Sequence, residues 1–435
     1  MRIIPCLAVD GSVTPPGSKS ITNRAIVCAA LAEGTSRLSG VLDSEDTRVM
    51  IAAWQQLGLT LEHDISSCLL HIEGCGGRIP VRSAELSLAN SGTSIRFLTA
   101  ALAACGGSYV LDGVPRMRER PIGDLLRALE QLGCSLRSLN TTLPDCPPVA
   151  VDLSGMRGGM ATVAGNISSQ YLSAIMMAAP LAEQDVLLVV DGHLVSVPYV
   201  AMTAAVMRAF GAEVVGPAGG PLRIASSQQN SQAGYRAAQY AIEPDASAAS
   251  YFWGAAAITR GVARVEGLNR ESLQGDVRFC EVLEQMGCDV TYHRDAIEVR
   301  GGDLQGVDVD MGHISDTVQT LAAVALFAKG KTTVHGVAHN RVKETDRISD
   351  LACELKKFGA RVEEFEDGLS IDPPEKIKAA EIETYHDHRM AMSLALVGLR
   401  THGVVILDPA CTAKTYPNYW HDLELFSRCG IEHMD

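Results

Sequence analysis

A stretch near the start of the chain, Pro15-Pro16-Gly17-Ser18-Lys19-Ser20-Ile21-Thr22-Asn23-Arg24-Ala25, brings two cations and several hydroxyls to one place. Ser18 stands where an N-cap is expected. An apolar run of helical spacing follows, with Ile21, Ala25, Cys28 and Ala32, and stops at Gly34. Lys19, Ser20 and Arg24 therefore fall in the first turns of a helix, beside free N–H groups and the positive end of the dipole. Such a place binds an anion, most simply a phosphate. It is not a Walker A loop, because Ser18 rather than glycine precedes the lysine. A capped surface helix with solvated charges is the competing reading.

Other clusters have the same character. Asn90-Ser91-Gly92-Thr93-Ser94-Ile95-Arg96 and Asn166-Ile167-Ser168-Ser169-Gln170 each open an alanine-rich run. Arg116-Met117-Arg118-Glu119-Arg120-Pro121-Ile122 reads as a loop leading into a helix with Pro121 in its first turn, and its three arginines suit a phosphate or carboxylate. Arg341-Val342-Lys343-Glu344-Thr345-Asp346-Arg347 reads as a helix start that sets Lys343 and Arg347 on one face. In His386-Asp387-His388-Arg389 the arginine would repel a metal ion, so Arg389 reads as an anion clamp. Asp316 and Glu344 are two free carboxylates among these cations. No metal-ligand set and no nucleophile with a paired base stands out. The inventory suits two anionic ligands with proton transfer between them.

The elements that must position these residues repeat six times. A polar cluster opens an apolar helix at Ser18, Asn90, Asn166, Asp245, Asp316 and Asp387. A second helix in each copy closes on a glycine, at Gly58, Gly133, Gly211, Gly287, Gly359 and Gly430, roughly every 75 residues. Strands are expected between helices, at Leu69–Ile72, Ser108–Leu111, Val186–Val190 and Thr332–Val334. The sixth copy is short of strands, whereas Arg2–Ile4 and Cys6–Val9 precede the first copy. The economical arrangement completes the last copy with the N-terminal strand. It gives two domains of three units, 15–243 and 1–14 plus 244–435, joined by two crossings. A hinged cleft between them is a natural small-molecule site.

Bulk properties narrow the class. The 435 residues carry a net charge of −14, which argues against nucleic acid as partner. Twelve cysteines are scattered without CxxC spacing, as in a cytoplasmic protein with reduced thiols. No apolar run reaches the roughly 18 residues of a membrane span.

Taken together, Pro16-Gly17-Ser18-Lys19-Ser20, Asn90-Ser91-Gly92-Thr93, Arg118-Glu119-Arg120-Pro121-Ile122, Ser168-Ser169-Gln170, Lys343-Glu344-Thr345-Asp346-Arg347, Asp387-His388-Arg389-Met390-Ala391-Met392 and Thr412-Ala413-Lys414-Thr415 resemble the 5-enolpyruvylshikimate-3-phosphate synthase family. The likeness runs in order from about Gly11 to the C-terminus. It implies an α/β fold of two inside-out barrels, each of three βαβαββ units, with the active site in the cleft. It also implies transfer of the enolpyruvyl group of phosphoenolpyruvate to the 5-hydroxyl of 3-phosphoshikimate, with release of phosphate through a tetrahedral ketal. Neither a cofactor nor a metal is expected. A monomer without membrane or nucleic-acid partners is expected.

By the same resemblance, Ser20, Arg24, Ser168, Ser169, Gln170, Ser196, Tyr199, His339 and Lys343 hold 3-phosphoshikimate, with Lys19 and Asp316. Asn90, Gly92, Arg120, Arg347, Arg389 and Lys414 hold phosphoenolpyruvate, with Lys19 and Gln170 shared. Asp316, Glu344, Lys19 and Lys414 are the groups expected at the chemistry. Three positions depart from the family pattern: Ala89 where glycine is common, Phe97 where many members have proline, and His339 where asparagine is frequent. The first two border the Gly92 turn, so an altered response to the inhibitor glyphosate is expected. Two alternatives are an enolpyruvyl transferase acting on UDP-N-acetylglucosamine and a non-catalytic phosphometabolite-binding protein. The first uses a loop cysteine that the 116–120 loop lacks. The second would dispense with Asp316 and Glu344.

Overall fold

The computed structural model describes residues 1–153, 155–165, 169–192 and 194–433. Its contacts divide the chain into two compact units, Gly17–Ile242, and Met1–Pro16 together with Glu243–Asp435. Each holds six α-helices among the described residues. In Gly17–Ile242 they are α1 (Lys19–Leu31), α2 (Glu45–Gln56), α3 (Gly92–Cys105), α4 (Gly123–Gln131), α5 (Ser169–Ala178) and α6 (Val197–Ala209). In the other unit they are α7 (Ala246–Thr259), α8 (Phe279–Gln285), α9 (Val318–Ala325), α10 (Ser349–Lys357), α11 (His388–Ala395) and α12 (Tyr419–Ser427).

The odd-numbered and even-numbered helices have different surfaces. All of α7 is buried, as is α3 through Ala104. A helix without a wet face belongs at the centre of its unit. Small residues let these helices approach closely. A Cβ added to Gly254 of α7 would lie 2.8 Å from Thr320 Cγ2 of α9. Hydroxyls then link three of them, Ser250 of α7 to Thr320 of α9 at 3.0 Å and Thr320 to Ser393 of α11 at 3.1 Å. The even-numbered helices are amphipathic. In α4, Leu125, Leu126, Ala128 and Leu129 are buried while Arg127 and Glu130 are exposed. Each fully buried leucine contributes about 2 kcal/mol.

Six four-stranded sheets, three in each unit, surround these helices. Many of their strands, such as Ser108–Asp112 and Val262–Glu266, bury alternate residues, as expected of sheets wet on one face. The sheet of the second repeat shows the pattern. Ser83–Ser87 runs parallel to Ser108–Asp112, with Ser83 opposite Ser108. The latter pairs antiparallel with Val149–Val151, which pairs antiparallel with Leu136–Ser138. Three strands pair with partners far away in the chain. Gln239–Ala241 lies parallel to Glu33–Ser39, and Asp10–Val13 parallel to Val262–Glu266. Arg2–Ile3 sits between Val404–Ile406 and Ile431–Glu432, antiparallel to both.

Five local expectations need correction. α1 ends at Leu31 rather than Gly34, which bends at φ +91° inside the strand that follows. Cys6–Val9 is not a strand. Its Leu7 is almost fully exposed, and the N–H groups of Cys6 and Val9 donate to Leu399 O and Thr259 Oγ1. The strand there is Asp10–Val13. The second helices close on a positive-φ glycine at Gly58, Gly133, Gly211, Gly287 and Gly359, but α12 closes on Arg428 at φ +54°, not on Gly430. Pro121 precedes α4 by two residues, and the arginines before it form a 3₁₀ turn, Pro115–Glu119. Finally, Lys343–Asp346 is a bend between a 3₁₀ turn, Ala338–Val342, and α10. Asp346 causes the bend: its carboxylate accepts from the Ile348 and Ser349 N–H groups and pairs with Arg341 at 2.9 Å.

Candidate functional site

In Gly17–Ile242, Ser18 caps α1 by accepting from the Ile21 N–H. This aims the first turn of α1 and fixes where Lys19, Ser20 and Arg24 emerge. Lys19 lies 3.7 Å from the buried Asp46 of α2. Arg24 is buried, and neighbouring helices hold it. Its Nε donates to Thr203 Oγ1 at 2.7 Å, one terminal nitrogen to Ser20 O at 2.8 Å, and the other to Ser173 Oγ at 3.3 Å. Burial pulls its pKa down to about 10, against the nearby Tyr199 and Cys28. The side chain remains a cation at neutral pH. Tyr199 lies beside it on α6, after Ser196 in left-handed conformation at φ +55°.

Asn90 and Gly92 sit at the start of α3, where Ser91 is the cap. The residue before Asn90, Ala89, has φ +48°. The left-handed region costs a non-glycine residue about 1 kcal/mol, so glycine would fit this position with less strain. Arg120 is buried and donates to Asn90 O at 3.1 Å and to Asn90 Oδ1 at 3.3 Å. A Cβ on Gly92 would lie 2.5 Å from the Arg120 guanidinium, so only glycine lets the two stand together. Arg116 and Arg118 are more exposed and pair with Glu119 and Asp112. These two are therefore surface ion pairs rather than part of an anion site. Gln170 accepts from Arg96 and donates to Thr93 at 3.3 Å, and Ser169 is buried beside it. Ser168 lies outside the described residues.

In the other unit the cations meet carboxylates. Asp316 Oδ2 is 2.7 Å from Arg389, and its Oδ1 is 3.1 Å from Arg347 and 3.9 Å from Lys343. Glu344 is 2.9 Å from Arg347. The two carboxylates expected to be free are therefore ion-paired. Arg347 is also fastened to Asp387 at 2.6 Å, and Asp387 caps α11 by accepting from the Arg389 N–H. Burial opposes the charge of Arg347, but Asp387, Glu344 and Asp316 outweigh it and hold the guanidinium above its ordinary pKa. Burial pulls Lys343 below its ordinary value, with Arg347 adding and Asp316 opposing. Lys343 and Arg347 thus reach one carboxylate, although they do not share a helix face.

His339 is buried, with Nε2 2.9 Å from Ser315 Oγ. Burial, with Lys343 nearby, pushes its pKa to about 3, so it is neutral at pH 7. Lys414 is buried at the end of a 3₁₀ turn, Pro409–Lys414. His386 is exposed and pairs with Asp408 at 2.9 Å.

Reading from residue types misses Asp46 and Asp276, and one contact of Asp387. Asp46 looks like ordinary first-turn acid chemistry after the Ser44 cap. Asp387 is visible in its motif, but its bond to Arg347 is not. Asp276 gives no signal at all, although burial and then Asp316 push its pKa up to about 7. The paired carboxylates and desolvated cations can bind anions and move protons without a covalent step.

The profile of the family described as EPSP synthase (3-phosphoshikimate 1-carboxyvinyltransferase) matches residues 5–423. The 3-phosphoshikimate 1-carboxyvinyltransferase of Serratia proteamaculans is 47% identical over 431 residues, covering 98% of this chain and 99% of that one. The protein of the same name from Nostoc punctiforme is 47% identical over 413 residues, covering 95% of each. A solved EPSP synthase from Acinetobacter baumannii superposes with a TM-score of 0.82 at 27% identity, covering 99% of both chains.

Proposed function

The chain belongs to the EPSP synthase family, and on that footing we propose how its residues carry out the 3-phosphoshikimate 1-carboxyvinyltransferase reaction. The enolpyruvyl group passes from phosphoenolpyruvate to the 5-hydroxyl of 3-phosphoshikimate, and phosphate leaves. The 5-hydroxyl loses a proton as its oxygen attacks C2 of the enol. The C3 methylene gains a proton, which gives a tetrahedral ketal. Loss of a C3 proton as phosphate departs restores the enol.

The ion-paired cluster of Asp316 with Lys343, Arg347 and Arg389 carries this reading. Asp316 and Glu344 are the proton-transfer groups, and Lys19 and Lys414 assist. Arg120, Arg347 and Arg389, with Lys19, Asn90, Gly92, Gln170 and Lys414, bind phosphoenolpyruvate. Ser20, Arg24, Ser168, Ser169, Ser196, Tyr199, His339 and Lys343, with Lys19, Gln170 and Asp316, bind 3-phosphoshikimate. Cations fixed before the reaction stabilise phosphate and carboxylate charge without reorganising. The enzyme works as a monomer in the cytoplasm, and twelve unpaired cysteines support the second part of that reading. The response to glyphosate is altered by Ala89 and Phe97. An inhibition constant in the range of an ordinarily sensitive member would overturn that part.

The test is phosphate release from phosphoenolpyruvate by the intact protein, with and without 3-phosphoshikimate. Release that requires both substrates is expected. Tight 3-phosphoshikimate binding without release would favour a binding protein instead.

A further inference from the structure

The guanidinium of Arg24 lies against two aromatic rings. Its Cζ is 5.2 Å from the centroid of Phe97 and 5.8 Å from that of Tyr199. A guanidinium has five N–H groups. Among the described residues three of them have partners, in Thr203, Ser20 and Ser173. The other two form no hydrogen bond among the described residues. Tyr199 carries a hydroxyl, but Phe97, fully buried on α3, presents only a ring. The face of such a ring attracts the cation without accepting its N–H groups. Such a ring can hold a guanidinium in place without engaging its donors.

Sequence alone places Phe97 beside the Gly92 turn. In the structure its ring also lies against Arg24 of α1. We propose that Phe97 is a positioning residue for Arg24, and that its ring sets the affinity for an anionic group of 3-phosphoshikimate. The proposal rests on the reading of Arg24 as a 3-phosphoshikimate-binding residue. Burial of the guanidinium fits this role, because an ion stripped of water gains most from a partner anion.

The test compares Phe97→Leu, Arg24→Lys and the double variant of the full-length enzyme in steady-state kinetics. Leucine keeps an apolar group but removes the ring. Phe97→Leu should raise KM for 3-phosphoshikimate about three- to thirtyfold, the range of cation–ring contacts from exposed to desolvated sites. KM for phosphoenolpyruvate and kcat should stay within about twofold, a split that general damage to the fold would not produce. In the Arg24→Lys background, Phe97→Leu should add almost nothing, because an ammonium has no plane to hold. If Phe97→Leu does not fold, Phe97→Met must show the same pattern.

Equal rises in both KM values would overturn the proposal, as would effects that simply multiply in the double variant. An Arg24→Lys enzyme with impaired 3-phosphoshikimate binding, beside a Phe97→Leu enzyme without impairment, would defeat the positioning role alone. An Arg24→Lys enzyme with unchanged KM for 3-phosphoshikimate would defeat the reading of Arg24, and the positioning role with it.

Discussion

The two units hold their buried cations in opposite ways. In Gly17–Ile242, Arg24 and Arg96 are fixed by neutral groups: hydroxyls, carbonyls, an amide and ring faces. In the other unit, Arg347 and Arg389 are fixed by the carboxylates of Asp316, Glu344 and Asp387. An arginine held by neutral groups keeps its full attraction for an arriving anion. One held by carboxylates has spent much of it, but the carboxylates gain defined positions beside donors. On the proposed reading, the first arrangement serves binding, and the second adds proton transfer to it. The same residue types thus do different work, according to what surrounds them.

Removing a carboxylate from the second arrangement should give the largest effect on stability. Asp387→Asn leaves the buried Arg347 short of a charge partner, and breaking such a pair costs about 3–5 kcal/mol. Denaturant unfolding should show the loss. A loss below about 1 kcal/mol would mean that the ions in this unit are no more tightly bound than surface pairs.

The first arrangement is best disturbed through Gly92. In Gly92→Ala the new methyl would meet the Arg120 guanidinium at 2.5 Å, and the flexible end of the arginine must move. KM for phosphoenolpyruvate should rise about tenfold or more, because misplacement by an ångström costs up to about a hundredfold. Unchanged KM would show that Arg120 does not hold this substrate.

A smaller effect separates burial from charge pairing in the second unit. His339 has a folded pKa of about 3, below its unfolded value. The unfolded chain therefore binds the extra proton, and stability is lost as pH falls below about 6.5. At pH 5.5 the loss from this group is about 1 kcal/mol. His339→Asn should narrow the stability gap between pH 7 and pH 5.5 by that amount in denaturant titrations at the two values. An unchanged gap would mean that His339 titrates normally. The smallest effect expected is that of Ala89→Gly. It relieves a left-handed alanine at φ +48° and should raise stability by about 0.5 kcal/mol, read as a small rise in Tm.

What was legible in the chain follows the range of the forces involved. The Ser18, Ser91 and Asp387 caps act over a few residues, so they can be read from sequence, as can the glycines that end α2, α4, α6, α8 and α10. The six-fold recurrence of these signals reveals the repeat, because each unit meets the same local demands. The bend at Lys343–Asp346 was not legible. It depends on Asp346 turning its carboxylate back to Arg341 and two N–H groups, in competition with the helix that the residue types favour. Asp276 was invisible for a related reason. Its raised pKa comes from burial and from Asp316, forty residues away in the chain, and nothing near Gly275 announces it. Phe97 borders the Gly92 turn in sequence, and nothing local announces that its ring lies against Arg24 of α1.

The division of labour between the two arrangements is tested most directly by the kinetics of Asp316→Asn beside those of Arg24→Lys. For Asp316→Asn, kcat should fall about 10²- to 10⁴-fold, the share of a positioned acid or base. For Arg24→Lys, KM for 3-phosphoshikimate should rise while kcat is largely kept. An Asp316→Asn enzyme that keeps its kcat and loses only affinity would contradict the assignment of proton transfer to the carboxylate-paired cluster.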